Sequence, residues 1–280
     1  MKKPQLIVSL LAILACIALY FFVPRSKKTA DPTANTNNVS QTVSGQSLVD
    51  GAKTALTASQ KINLLSIENQ LVKSKSSMDS AKVYTQLAQF WADSAHRIEP
   101  YLYYTYSAAL LENSEKSLTF AAQLLVDNLT TQEAPPAVQN WIAVNAKVLL
   151  EKALEINPKN DSAKINIGAC YLFGNISDNP MQGILKVKEI VDKNPQNIYG
   201  NLILGLGGKK SGQYPKAIER FLTVLQLQPT NMEAMVNLAE CYELSNQKEL
   251  AIEWYTKIKQ LVKIPEAKDA IEKRIKDLKK

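Results

Sequence analysis

Residues 195–228 read PQNIYGNLILGLGGKKSGQYPKAIERFLTVLQLQ, and residues 229–262 read PTNMEAMVNLAECYELSNQKELAIEWYTKIKQLV. Laid over one another, Pro195 falls on Pro229, Ala217 on Ala251 and Phe221 on Tyr255, each pair 34 residues apart. Leu204-Gly205 falls in the same way on Leu238-Ala239. A fixed period of roughly 20–50 residues marks an array of small supersecondary units stacked against one another. Gly205 and Ala239 are small where a first helix must admit a close neighbour, and Ala217 and Ala251 are small on the second. Phe221 and Tyr255 are large enough to fill the space between hairpins. The prolines stop the second helix and set the turn into the next unit.

An earlier unit follows the same plan, with Lys164, Ile167-Gly168 and Tyr171, then Gly183, Val187 and Pro195. The later ones carry Asn201, Leu204-Gly205, Gly208, Tyr214 and Ala217, then Met235, Leu238-Ala239 and Tyr242. In spacing and residue type, Asp161–Val262 resembles the tetratricopeptide-repeat family. The resemblance implies an all-α fold, a right-handed superhelical solenoid of helical hairpins in which stacking supplies the core. Three departures are expected to matter. The large residue opening the pattern is never Trp, Gly208 replaces Tyr, and Gly183 replaces Ala, so packing at these glycines is expected to loosen.

In this family the first helices of successive repeats line a groove that holds a peptide. Carried over by position, the partner-binding groove comprises Ile165, Ala169 and Leu172, then Tyr199, Leu202, Leu206 and Lys209, then Glu233, Val236, Glu240 and Glu243. Asn166 and Asn237 stand where the family often has Asn. Such a groove is apolar at one end and acidic at the other. A clamp for a C-terminal carboxylate is not expected, because Lys209 is the one basic residue at these positions.

Outside the regular repeats of 161–262, residues 136–160 form a long helix leading into them, with Ala146, Leu150, Ala153 and Pro158 in the pattern of a second helix. Residues 58–135 form a degenerate repeat-like region, with helices near Gln60–Val72, Met78–Arg97, Tyr101–Glu112 and Glu115–Asn128. Residues 265–280 form a capping helix whose Ala267, Ile271, Ile275 and Leu278 share one face.

Beyond a short tail, 1–4, residues 5–23 form an uncharged apolar run long enough to span a bilayer as a transmembrane signal anchor. Tyr20, Phe21 and Phe22 suit an interfacial belt, and no small-x-small cleavage site follows. The alternative is a bacterial lipoprotein acylated at Cys16, although Ile17–Val23 continue apolar where a tether would be polar. Residues 24–57 then form a flexible linker, rich in Ser, Thr, Asn and Gly between Thr29 and Gln46. Lys2 and Lys3 on one flank nearly balance Arg25, Lys27 and Lys28 on the other. A short N-terminal tail usually stays cytoplasmic, which places the soluble domain on the periplasmic or extracytoplasmic side.

The chain is 46% hydrophobic and 21% charged, as a folded chain is, and its net charge of +7 is spread over helices that also carry acids. No nucleic-acid partner is expected. His96 is the single histidine, the three cysteines (Cys16, Cys170, Cys241) form no metal-ligand spacing, and Gly205–Gly212 lacks the Gly-x4-Gly-Lys-Ser/Thr spacing of a phosphate loop. No catalytic residue, cofactor or metal is therefore assigned, and the chain is taken as a non-enzymatic, membrane-tethered scaffold that binds another protein or peptide. The alternative is a structural subunit of a membrane complex, docking through its anchor and the aromatic-rich stretch Phe90–Tyr106.

Overall fold

The computed structural model describes residues 43–280 apart from 132–133 and 178. The tail 1–4, the apolar run 5–23 with Cys16, and the linker up to residue 42 lie outside the described residues. Thirteen α-helices follow in chain order: α1 (Gly45–Lys53), α2 (Ala58–Lys73), α3 (Ser77–Gln89), α4 (Ile98–Glu112), α5 (Glu115–Thr131), α6 (Pro136–Ile156) and α7 (Asp161–Phe173). Then come α8 (Met181–Lys193), α9 (Ile198–Lys210), α10 (Tyr214–Leu227), α11 (Met232–Leu244), α12 (Lys248–Leu261) and α13 (Pro265–Leu278). One π-helical turn, Phe90–Ser94, extends α3. Among the described residues there is no strand, and no helix is long and apolar enough to cross a membrane.

The helices pair as antiparallel hairpins, α5 with α6, α7 with α8, α9 with α10 and α11 with α12, and each hairpin packs on the next. The regular stack thus begins one hairpin earlier than Asp161. The helix expected over 136–160 is α6, and it is the second helix of a full unit whose first helix is α5. The α5–α6 unit is hard to see in sequence because α6 is 21 residues long, against 13 or 14 for the helices that follow it.

A four-residue turn joins each unit to the next: Asn157-Pro-Lys-Asn160, Asn194-Pro-Gln-Asn197 and Gln228-Pro-Thr-Asn231. Its closing Asn caps the next helix. The Oδ1 atoms of Asn160, Asn197 and Asn231 accept the backbone N–H of Ala163, Gly200 and Ala234 at 2.9, 2.8 and 2.9 Å. Each cap contributes on the order of 1 kcal/mol. The prolines thus stand in the turn, before the cap, where their missing N–H costs nothing.

The core runs along the stack. Leu118, Leu125, Ile142, Leu149, Leu150 and Ile165 are fully enclosed over α5–α7, and Phe221, Leu238 and Ala239 over α10–α11. A third cluster holds α1–α4 together around Val49, Leu87 and Trp91. Cys170 and Cys241 lie inside as free thiols, and burial pushes their pKa up to about 12 and about 11.

Three expectations change. Residues 45–53 are helical where the linker was expected to run on to 57, because Ser44 caps α1 and Val49 is drawn into the core. Gly183 does not loosen the packing. A Cβ on it would lie 2.4 Å from the Gly168 carbonyl oxygen, whereas one on Gly208 would meet the Ala217 Cβ at 3.3 Å; a Cβ on Gly205, a close-approach position as expected, would lie 2.6 Å from the Phe221 ring. The hairpins close further at Gly183 and Gly205 than an alanine allows. The aromatics of Phe90–Tyr106 are only partly available as a docking surface, Tyr101, Tyr103 and Tyr106 being half-buried. Phe90, Trp91 and Tyr104 are buried, with Phe90 edge-on to Trp91 at 5.4 Å and Tyr103 against Tyr104 at 5.0 Å.

α13 closes the stack as an amphipathic cap, setting Ile271, Ile275 and Leu278 on the last hairpin while no residue of it is fully buried. Lys259 of α12 and Lys276 bracket Glu272 at 2.8 and 3.1 Å and hold its carboxyl at about 2, below the usual carboxylate range.

Two predictions follow from this packing. Gly183→Ala should destabilise the domain by about 1–3 kcal/mol in urea unfolding, whereas Gly51→Ala, which meets open space in α1, should not. Because the folded pKa of Glu272 is depressed, its attachment of the cap is complete above about pH 4.5 and is lost as pH falls towards 2. Thermal melts by circular dichroism should therefore show wild type more stable than Glu272→Gln at pH 6, with the gap closing towards pH 2 and shrinking in high salt.

Candidate protein-binding surface

The first helices α5, α7, α9 and α11 lie side by side, each touching the next. This contact decides what happens to the positions assigned to the groove. Ile165 and Ala169 have no exposed surface, and Leu172 and Leu202 are also buried. They form the packing layer between units, out of reach of a peptide. Tyr199, Leu206, Lys209, Val236, Glu240 and Glu243 are half-buried, and Glu233 is exposed.

The polar groups on this side are engaged with one another. Asn166, only 3% exposed, donates from Nδ2 to Gln123 Oε1 at 2.7 Å, and its Oδ1 accepts the Tyr199 hydroxyl. Gln123 Nε2 in turn donates to Tyr199 Oη at 3.2 Å and to Asp127 Oδ1 at 2.7 Å. Three residues from three successive first helices thus close a ring of hydrogen bonds. Burial raises the Tyr199 pKa well above its ordinary value, so the phenol stays a neutral donor.

Further along, Lys209 Nζ pairs with Glu240 and donates to Asn237 Oδ1 at 2.8 Å. Arg274 of the cap reaches Glu243, its Nε donating to Oε2 at 2.9 Å, and Tyr255 Oη donates to the same oxygen at 3.1 Å. Glu240 and Glu243 of the expected acidic end are therefore paired within the chain, with Glu233 left exposed, and Lys209 is already committed to Glu240 and Asn237.

The surface opens elsewhere. α3 and α5 both pack on α4 but hardly touch each other, and a cleft of about 460 Å³ lies between them. Thr85, Ala88 and Gln89 of α3 form one wall, and Ser117, Phe120 and Ala121 of α5 the other. Tyr101, Thr105, Ala108 and Ala109 of α4 make the floor, while Glu112 and Lys116 add one charge of each sign. Phe120 is 63% exposed, a phenyl ring standing in solvent at the lip of an apolar depression. The sequence carried a signal for it. The buried stripe of α5 is Leu118, Ala121, Ala122, Leu125, Val126 and Leu129, and Phe120 falls on the opposite side of the helix.

His96 lies outside both regions. It has φ +52° just after the π-turn, and its Nδ1 is 2.9 Å from the Ala92 carbonyl, where it ends the helix. Gly205–Gly212 spans the end of α9 and the turn into α10, with Gly212 at φ +73°.

Residues 210–263, from the end of α9 through α12, match the family model of the tetratricopeptide repeat. The chain carries tetratricopeptide repeats. The α5–α6, α7–α8 and α9–α10 helix pairs stack in series with the α11–α12 hairpin of the matched region, and α13 packs on that last one. No curated protein matches the chain in sequence. Solved structures that resemble it include a crystal structure of MamA, at 15% identity and TM-score 0.40 over 64% of this chain and 90% of that one. MamA 41-end from Desulfovibrio magneticus RS-1 is 20% identical at TM-score 0.41, covering 65% and 94%. YrrB, described as a TPR protein with an unusual peptide-binding site, is 17% identical at TM-score 0.41, covering 74% and 97%. These scores are too low to carry any residue's role across.

The ring of hydrogen bonds in the tetratricopeptide stack is testable on its own. Tyr199→Phe leaves the buried Asn166 Oδ1 without its donor and should cost about 1–3 kcal/mol in urea unfolding, while Tyr214→Phe, on a half-buried residue outside the ring, should cost less.

Proposed function

We propose that this chain is a membrane-tethered scaffold that holds a segment of another protein in the cleft between α3, α4 and α5, with its helical domain on the extracytoplasmic side. The observation that carries the reading is Phe120, an exposed phenyl at the lip of an apolar cleft. Interfaces draw most of their free energy from a few aromatic anchors in desolvated pockets. The cleft suits one or two bulky apolar side chains, and Glu112 and Lys116 would orient the polar backbone or charges beside them. Glu233 and Val236 of α11 keep surface along the same run of first helices. The tether is supported by the uncharged run 5–23 and its aromatic end, and the side of the membrane by the short N-terminal tail.

A photo-crosslinking residue in place of Phe120, in the full chain in intact membranes, should capture a discrete polypeptide, and the same group at the exposed Gln226 should not. Phe120→Glu should weaken binding of the captured partner at least tenfold, about 1.4 kcal/mol or more. Equal labelling from both positions would reject the cleft. Protease added to the extracytoplasmic side should cut the helical domain, and protection there would reverse the assigned topology.

A further inference from the structure

α2 has two apolar faces. One carries Leu64, Ile67 and Leu71 inward, onto the cluster that includes Val83, Leu87 and Trp91. The other carries Ile62, Leu65 and Val72, which are 72%, 57% and 87% exposed. With Ala58 and Asn69, also exposed, these residues stand at 58, 62, 65, 69 and 72. The steps alternate between four and three, so the five side chains form one narrow stripe, the seam spacing of a two-stranded coiled coil. A core helix has no need of a second stripe of large apolar residues on its water side.

We propose that a second copy of this chain covers this stripe, α2 lying parallel against α2. The residue that chooses the occupant is Asn69. In a parallel pair every seam residue meets its own copy, so the two Asn69 amides bond to each other, and Ile62, Leu65 and Val72 each meet themselves. In an antiparallel pair the seam would set Asn69 against Leu65 and strand a buried amide. A single Asn at such a position is what specifies a parallel two-stranded register, at some cost in stability. The flanks agree. Glu68 borders the seam on one side and Lys73 on the other, five residues on, the separation at which opposite charges meet across a parallel pair. Glu68 already holds Lys53 of its own chain at 2.7 Å, and Lys73 of the second copy would reach its outer side. A lipid surface fits less well, since the stripe has an amide at its centre and no aromatic residue to sit at the interface. With only about two heptads the pair is weak and reversible.

The test uses the full chain in mild detergent. Sedimentation equilibrium should show a monomer–dimer equilibrium at concentrations up to about 100 μM, the regime of a small interface. Ile62→Glu with Leu65→Glu should weaken it at least tenfold while circular dichroism stays unchanged, because both residues are exposed. In a Cys16→Ser background, with Cys170 and Cys241 buried, Val72→Cys should form a disulfide with itself on mild oxidation, and Asn63→Cys, off the seam, should not. A chain that is monomeric throughout, or a dimer indifferent to the double substitution, would overturn the proposal. Dimerisation without Val72→Cys self-crosslinking would overturn the parallel arrangement. A fluorophore on Leu65→Cys that brightens with phosphatidylcholine–phosphatidylserine vesicles while the protein stays monomeric would assign the stripe to lipid instead.

Discussion

Two antiparallel helices of 13 or 14 residues leave much of their apolar surface in water unless a third element covers it. This constraint shapes the whole described domain. It requires small residues where the two helices of a hairpin cross, so that they approach far enough to bury the larger ones, and the glycines at 168, 183 and 205 meet that need with no room for a methyl group. It requires a turn that hands each second helix to the next first helix without wasting residues, which the repeated Pro and capping Asn supply. It also requires a last element that is apolar on one face only, and α13 is that element.

The same constraint determines where a partner can reach. Where the stack is tight, from α5 through α11, apolar side chains of the first helices such as Ile165, Ala169, Leu172 and Leu202 are used as inter-unit packing, and most of their polar neighbours satisfy one another. The ring of Gln123, Asn166 and Tyr199 and the pairs Lys209–Glu240 and Glu243–Arg274 are the visible result. Where the stack loosens, between α3 and α5, apolar surface is left uncovered and a cleft forms beside Phe120. The cleft proposed to bind a partner therefore lies where the array is least tightly packed rather than on its most regular part.

Much of the fold is legible in residue spacing, because periodicity reports which residues must be small, large or turn-forming. The hairpins from Asp161 onward and the cap after Pro265 are of this kind. The α5–α6 unit escaped clear recognition because its second helix is longer than the period allows. α1 was hidden in a stretch of Ser, Thr and Gly because one buried valine and one serine cap are enough to hold nine residues in a helix. The site was harder to see. Family position placed Ile165 and Ala169 on a groove, but position along a helix does not tell whether the neighbouring helix closes over it.

By itself, then, the sequence determined the period, the hairpin plan, the turns and the cap, since each depends on local backbone preference and on side-chain size at fixed intervals. Only the tertiary structure decided which of those side chains meet water. That depends on the distance and angle at which one helix settles on another, as at the Gly168–Gly183 contact within the α7–α8 hairpin and at the gap between α3 and α5. Spacing along the chain sets which residues face a neighbour, and the closeness of that neighbour is a property of the assembled stack.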